Sequence, residues 1–264
     1  MYEILADLPR GSMVLDLACA SGSFPATATP ATVVRIDREW RQQSTGDLFV
    51  RGDAARLPFA DHGFDAVISN HSLEHFLDLE DSLREIGRVI RPEGALYVAV
   101  PDASTWTDKV YRWLGRGGGH VNAFVSAADV VECVESGTGL RLAAIRTLYS
   151  SLSFLNRHVA PRPFPRRLML LGGGFEWTLF LYVWFSRWID RLFHTRLGIY
   201  GWAFYFGQRP ASIDLSVWRN VCIRCGAGHP GELLRERSRV RPFLGWLEVY
   251  SCPICGGLNP FIAF

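Results

Sequence analysis

Between Met13 and Val100 the chain repeats one pattern that few folds can use. A short apolar run stops at an acid or a small polar residue, and a polar or helical stretch leads to the next run. The runs are Met13–Leu17, Val33–Ile36 followed by Asp37, Leu48–Val50 ahead of Gly52-Asp53, Phe64–Ser69 and Ala95–Val100. Near-continuous apolar residues suit strands buried on both faces, which is the condition of a parallel sheet covered by helices. Leu79, Leu83, Ile86 and Ile90 fall on one face of a helix predicted over Leu79–Ile90. Arg91-Pro92-Glu93-Gly94 is expected to stop that helix and turn the chain. The alternation predicts an α/β domain with a doubly wound sheet.

Beyond Pro101 the pattern loosens. Gly115–Gly119 is a glycine-rich loop, and Ser126–Ser136 reads as a helix with Ser126 as its N-cap. Leu140–Thr147 and Ile199–Phe206 are expected as a late pair of strands. Between them, residues 147–199 form an insertion with a basic, proline-punctuated stretch (Arg157–Arg167) and an aromatic helix (Phe175–Phe193). A linker over Gln208–Val217 separates a first domain, 1–208, from a small module, 217–264. Leu168–Phe206 is the most apolar region, but Glu176 and Arg187 break it. No run reaches the roughly 18–20 apolar residues that span a bilayer. Met1–Arg10 has no leader-like apolar core, so a cytoplasmic location is expected. Tryptophans among arginines in 157–196 suit peripheral contact with the inner face of a membrane. A lid or dimer-interface helix has the same composition. A net charge of +2 excludes a chain that binds nucleic acid through overall charge.

Four of the six cysteines form Cys222-x-x-Cys225-Gly and Cys252-x-x-Cys255-Gly, with 26 residues between the pairs. Each knuckle turns two thiolates to one side, and two knuckles make a closed tetrahedral site for structural Zn2+, a zinc ribbon. Cys19 and Cys133 are left as free thiols. Arg224, Arg235, Arg237, Arg239 and Arg241 give the ribbon a basic strip, interleaved with Glu232, Glu236 and Glu248. It can stabilise the chain end, face a protein partner or hold nucleic acid.

A strand that ends in an acid and enters a turn of small residues lets a nucleotide cofactor approach the backbone, and an acid at the tip of the next strand can accept ribose hydroxyls. Asp16-x-Ala18-x-Ala20-x-Gly22 and Asp37, 21 residues further on, supply these parts. With VLDLACASGSF, VVRID, GDAARLPFADHGFDAVISNHSLEH and LREIGRVIRPEGALYVAVPD, the chain from Val14 to Asp102 resembles the class I S-adenosylmethionine-dependent methyltransferases of the ubiquinone-biosynthesis-like group. Weaker similarity runs through HVNAF to GWAFYF. The resemblance implies a Rossmann-like, seven-stranded sheet with an antiparallel last strand. It implies S-adenosyl-L-methionine held at Asp16 (amino-acid end), the Ala18–Gly22 turn, Asp37 (ribose), Asp53 and Ala54 (adenine) and Asn70 (methionine part). Departures are Ala18 and Ala20 where glycines are usual, prolines at 25 and 30 after the turn, and only 16 positions from Asp37 to Asp53.

Methyl transfer needs a base only when the acceptor carries a proton to be removed. His71, His75, Asp102 and His120 follow strand ends, and His120 and His75 are the candidate catalytic residues. These features point to a methyltransferase with a small-molecule, lipid-linked or glycan acceptor. An RNA or protein methyltransferase using the ribbon to hold its substrate, and a non-catalytic binding protein with a degenerate cofactor site, are the alternatives.

Overall fold

A computed structural model describes residues 1–39, 48–114, 119–158, 175–211, 213–214, 216–245 and 247–264. The expected 115–118 loop residues, most of the basic stretch (159–167) and linker positions 212 and 215 lie outside the described residues.

Seven strands form one sheet: β1 (Met13–Leu17), β2 (Thr32–Asp37), β3 (Leu48–Arg51), β4 (Phe64–Asn70), β5 (Ile90–Pro101), β6 (Leu142–Tyr149) and β7 (Ile199–Gly207). Their order is β3-β2-β1-β4-β5-β7-β6. Strands β1 to β5 pair in parallel. The last pair runs antiparallel: the Gly207 amide donates to the Arg141 carbonyl, and the Ser150 amide to the Gly198 carbonyl. The sequence order thus reverses direction at β1, where a βα turn opens outward at the C-terminal ends of the strands. The helices are α1 (Tyr2–Asp7), α2 (Leu79–Val89), α3 (Trp106–Leu114), α4 (Ala127–Thr138), α5 (Glu176–Phe193) and α6 (Gly231–Glu236).

The described residues fall into two compact units. One comprises Met1–Asp102, Gly119–Arg146 and Trp202–Leu215; the other comprises Ala103–Gly118, Thr147–Gly201 and Ser216–Phe264. The first holds the main core, in which Leu15, Val67, Leu96, Val98, Val100, Phe204 and Phe206 are fully inaccessible. Each such side chain contributes about 1.5–3 kcal/mol on burial. Helix α2 buries Leu83, Ile86 and Val89 as its period requires. It meets α4 through glycines: a Cβ on Gly87 would lie 2.6 Å from the Thr138 carbonyl oxygen, and one on Gly137 2.5 Å from the Leu83 Cβ. Ser126 caps α4, its hydroxyl accepting the Ala128 amide at 3.2 Å.

One local expectation differs from the structure, the short segment after β1 is as its prolines require, and two helices were not expected. Residues 91–94 do not end in a free turn but bulge within β5. Phe64 pairs with Ile90 and Ala66 with Ala95, so the proline and glycine are absorbed between two ladder contacts. The segment after β1 is a single 3-10 turn, Ala26–Ala28, bounded by the prolines that forbid a longer helix. Helices α1 and α3 are too short, or too mixed in polarity, to have stood out.

In the second unit, Leu152, Leu155, Leu179, Val183 and Ile223 pack α5 against the first cysteine knuckle. Two antiparallel hairpin systems carry the cysteines: β8 (Asn220–Val221) with β9 (Gly228–His229), and β10 (Val240–Phe243), β11 (Leu247–Ser251) and β12 (Leu258–Pro260) in that order. Among the described residues no helix is long and apolar enough to cross a membrane.

Candidate cofactor pocket and metal centre

The turn after β1 is shaped from beneath by a buried ion pair. Asp16, fully buried, accepts the Ser23 amide at 2.9 Å and lies 3.7 Å from the Arg35 Nε. Arg35 projects from β2, is 2% exposed, and donates to the Phe24 carbonyl at 2.5 Å. Gly22 makes room for it: at φ +106, an added Cβ would stand 2.2 Å from the Arg35 Nη1. Above this pair the chain crosses the left-handed region at Ala18 (φ 50) and Ala20 (φ 48), each at a cost of about 1 kcal/mol relative to glycine. The Asp37 carboxylate offsets this by accepting the Ala20 amide at 2.8 Å and the Glu39 amide at 3.0 Å.

A cavity of about 400 Å³ opens over this turn, within the 300–1,000 Å³ typical of small-molecule sites. Leu17, Ile36, Ala54 and Phe76 supply its apolar surface; Ala18, Ala20, Asp37, Arg38, Asp53, His71 and His75 also line it. Each Asp37 oxygen keeps a lone pair beyond its amide bond, which suits a pair of ribose hydroxyls. The Asp53 carboxylate accepts the Ala55 amide at 3.0 Å and pairs with the Arg38 guanidinium at 2.7 Å. Partial burial raises its pKa, but the amide and the guanidinium outweigh that and hold it below the usual carboxylate value. Cys19, in the same turn, is no nucleophile: burial, with the Asp16 and Asp37 charges, pushes its thiol up to about 12.

Of the expected cofactor residues, Ala18, Asp37, Asp53 and Ala54 line the cavity. Asp16 and Gly22 lie behind it, fixing Arg35 and so the turn. Asn70 ends β4 but does not line the cavity, whose wall on that side is formed by His71 and Ser72.

His75 and His120 come together. Their rings are 4.9 Å apart, and the 119–122 segment is tied to the 73–76 turn by the Val121 and Asn122 amides on the Glu74 carbonyl. The Asn122 side-chain amide adds bonds to the Leu73 and Phe76 carbonyls. His75 Nδ1 lies 3.0 Å from the Gly119 carbonyl, which assigns the proton to Nδ1 and leaves Nε2 basic. Glu74 was not a sequence candidate, because nothing in the local pattern marks a buried acid. It is 2% exposed, with one oxygen 3.7 Å from His71 Nδ1 and the other without a hydrogen-bond partner among the described residues. Glu74, His75 and His120 each bring a ligand atom within 4.8 Å of the others, a set that could also hold a metal ion.

The four ribbon cysteines converge likewise, their sulfurs all within 4.8 Å of one another. Cys222 and Cys255 lie 3.5 Å apart, and Cys225 and Cys252 3.7 Å. Gly226 (φ +76) and Gly256 (φ +70) close the two knuckles. Around the sulfurs, the Arg224 amide and the Asn259 side-chain amide point to Cys222 at 3.4 and 3.6 Å, and His229 Nε2 lies 3.4 Å from Cys252. Four convergent thiols with this shell of donors fit Zn2+. The Cys225 thiol and the Arg224 amide beside it hold the Cys222 thiol below the usual thiol value. The basic strip is partly spent: Arg224 forms a bidentate pair with Glu176, and Arg235 with Glu248.

The strand order and the cavity at the first βα turn define a Rossmann-like methyltransferase sheet. Residues 15–98 match the family model of a methyltransferase domain. A demethylmenaquinone methyltransferase of Beutenbergia cavernae is 38% identical over 104 residues, 36% of this chain and 43% of that protein. One of Paenarthrobacter aurescens is 36% identical over 121 residues, 42% and 48%. The chain thus spans less than half the length of these curated relatives. In fold, it is similar to a chain from Anabaena variabilis described as a methyltransferase of an antibiotic-biosynthesis pathway (TM-score 0.51, 19% identity, 78% of this chain and 94% of that one). The [4+2]-cyclase SpnF is comparable (TM-score 0.50, 18% identity, 78% of each chain). Over residues 15–98 and in the order of its sheet, the chain is thus similar to the class I S-adenosylmethionine-dependent methyltransferases, and it carries a C-terminal four-cysteine cluster.

Proposed function

We propose that the chain transfers a methyl group from S-adenosyl-L-methionine to a small, apolar or lipid-linked acceptor. The observation that carries this reading is the convergence of the Asp37 and Asp53 carboxylates with the Ala18–Ala20 turn on one cavity at the strand ends. Asp37 would hold the ribose. Asp53 and Ala54 would hold the adenine, and Asp16, Gly22 and Arg35 would keep the turn in shape. Asn70 would set the position of His71 beside the methionine part. The bound cofactor supplies a methyl on a sulfonium. Transfer is then an in-line displacement in which the chain's contribution is chiefly alignment and exclusion of water. Where the acceptor is a hydroxyl, His75 Nε2 takes its proton, with His120 beside it. The demethylmenaquinone methyltransferases among the relatives support an aromatic small-molecule acceptor. The pairing of Arg224 and Arg235 with glutamates counts against a ribbon that grips RNA. The ribbon's cysteines would hold structural Zn2+.

The test is incorporation of labelled methyl from S-adenosylmethionine by the zinc-loaded chain, offered prenylated naphthoquinols, transfer RNA and protein in parallel. Label in the organic extract is expected. Label in RNA or protein overturns the acceptor class, and none anywhere, with no cofactor binding, overturns the enzyme.

A further inference from the structure

Helix α5 and its surroundings carry a face and a cavity that methyl transfer does not use. The helix buries Leu179, Val183, Ser186 and Arg187. Its opposite side is exposed and apolar: Trp177 (63% exposed), Leu181, Phe185 (50%), Trp188 and Leu192 recur at helical spacing along its length. Neither acid of the helix opposes this stripe. Glu176 is clamped by Arg224, and Asp190 by Thr195 and the Leu197 and Gly198 amides. A contiguous aromatic stripe of this length marks an interaction surface.

At the C-terminal end of α5 a cavity of about 450 Å³ is lined by Arg187, Arg191, Arg219, His194, Tyr149 and Phe264, among others. Arg187 is 1% exposed, and among the described residues its guanidinium donates to uncharged acceptors: the carbonyls of Ser150 (2.6 Å), Gly198 (3.2 Å) and Arg219 (3.3 Å) and the Ser186 hydroxyl (3.0 Å). Arg191 lies on the Phe264 ring at 4.3 Å, and no hydrogen bond or ion pair holds it among the described residues. Arg219 donates to the Phe264 main-chain oxygen at 3.1 Å and lies over the Tyr149 ring. The carboxylate in the lining, Asp190, has both oxygens taken by the 195–198 turn. Arg191 and Arg219 line the cavity with the buried Arg187 charge behind them, and Asp190 is engaged by the 195–198 turn, an arrangement that favours an anion such as phosphate. Stripe and cavity meet at one point: the Trp188 ring is 5.1 Å from that of Phe264, and Arg191 lies over both.

We propose that this unit docks on an anionic phospholipid surface, with the aromatic face of α5 at headgroup depth and the arginine cavity holding a lipid phosphate. Tryptophan rings favour that depth, and a helix with one apolar side lies in the plane of the interface. The inference does not depend on methyl transfer.

The test is flotation of the zinc-loaded full chain with phosphatidylcholine vesicles, with and without phosphatidylglycerol, at low and high salt. Binding that needs phosphatidylglycerol and weakens with salt is expected. Arg191→Glu, and separately Trp177→Glu with Phe185→Glu, should each reduce it roughly tenfold or more, with circular dichroism and S-adenosylhomocysteine affinity unchanged. Wild-type protein that stays with the solvent, or variants that float equally well, overturns the proposal. So does inorganic phosphate binding that Arg191→Glu abolishes without any vesicle binding, because the cavity then serves a soluble phosphate. Self-association through the aromatic face in sedimentation velocity, without flotation, overturns it as well.

Discussion

Replacing Gly22 by alanine should unfold the first βα turn, and the structure says by how much. Two costs add. The residue stands at φ +106, where an L side chain is strained by about 1 kcal/mol. The new Cβ would also lie 2.2 Å from the Arg35 Nη1 and 2.7 Å from its Cζ. A guanidinium is ordinarily able to swing aside, but this one is 2% exposed and pinned between the Phe24 carbonyl and Asp16. Moving it leaves Asp16 buried without its cation, a loss of about 3–5 kcal/mol. The sum, about 4–6 kcal/mol, is a large share of the 5–15 kcal/mol that holds an ordinary domain together. Gly11 is the internal control. It stands at φ +88 with nothing within 4 Å of its added Cβ, so Gly11→Ala should cost only about 1 kcal/mol. Urea unfolding of both variants by circular dichroism measures the difference. Equal losses, to within about 0.5 kcal/mol, would refute the claim that Gly22 exists to seat Arg35.

Stability should fall in acid in part through Glu85, which the Arg88 guanidinium and the Leu57 amide hold below its usual 4.5 against burial. A depressed carboxylate contributes fully above its unfolded value and loses that contribution as pH falls through the folded one. Glu85→Gln should therefore narrow the gap in melting temperature between neutral and acid buffer; an unchanged gap counts against the assignment. Chelation should release one zinc per chain and expose the 217–264 hairpins to protease. Asn259→Ala, which removes the side-chain amide on Cys222, should weaken zinc binding roughly 10–100-fold in competition with a chromogenic chelator. His75→Ala should lower kcat roughly 100-fold or more for a hydroxyl acceptor. An unchanged kcat would leave His75 as a loop support.

The sheet was legible because β1, β2, β4 and most of β5 are largely buried and so read as near-continuous apolar runs. The two knuckles were legible because thiolate chemistry dictates their spacing. Other parts depend on long-range partners that local patterns do not encode. Arg35 looks like a surface residue within VVRID, yet Asp16 and Gly22 draw it inside. Glu74 looks like an ordinary helix-start acid, yet the 119–122 segment covers it. The glutamates interleaved in the ribbon's basic strip are local, but Glu176, 48 residues before Arg224, also takes one of its members. Arg187 looked like a break in an apolar helix, and it forms the floor of a cavity.

The measurement closest to the central claim is calorimetric titration of the zinc-loaded chain with S-adenosylhomocysteine, beside Asp37→Asn and Asp37→Ala. Asparagine keeps an acceptor for the Ala20 amide but loses the charge and one acceptor oxygen. Saturable binding to the wild type, weakened by asparagine and abolished by alanine, is expected in proteins with native circular dichroism. No heat and no thermal shift at saturating ligand would contradict it, whatever the fold.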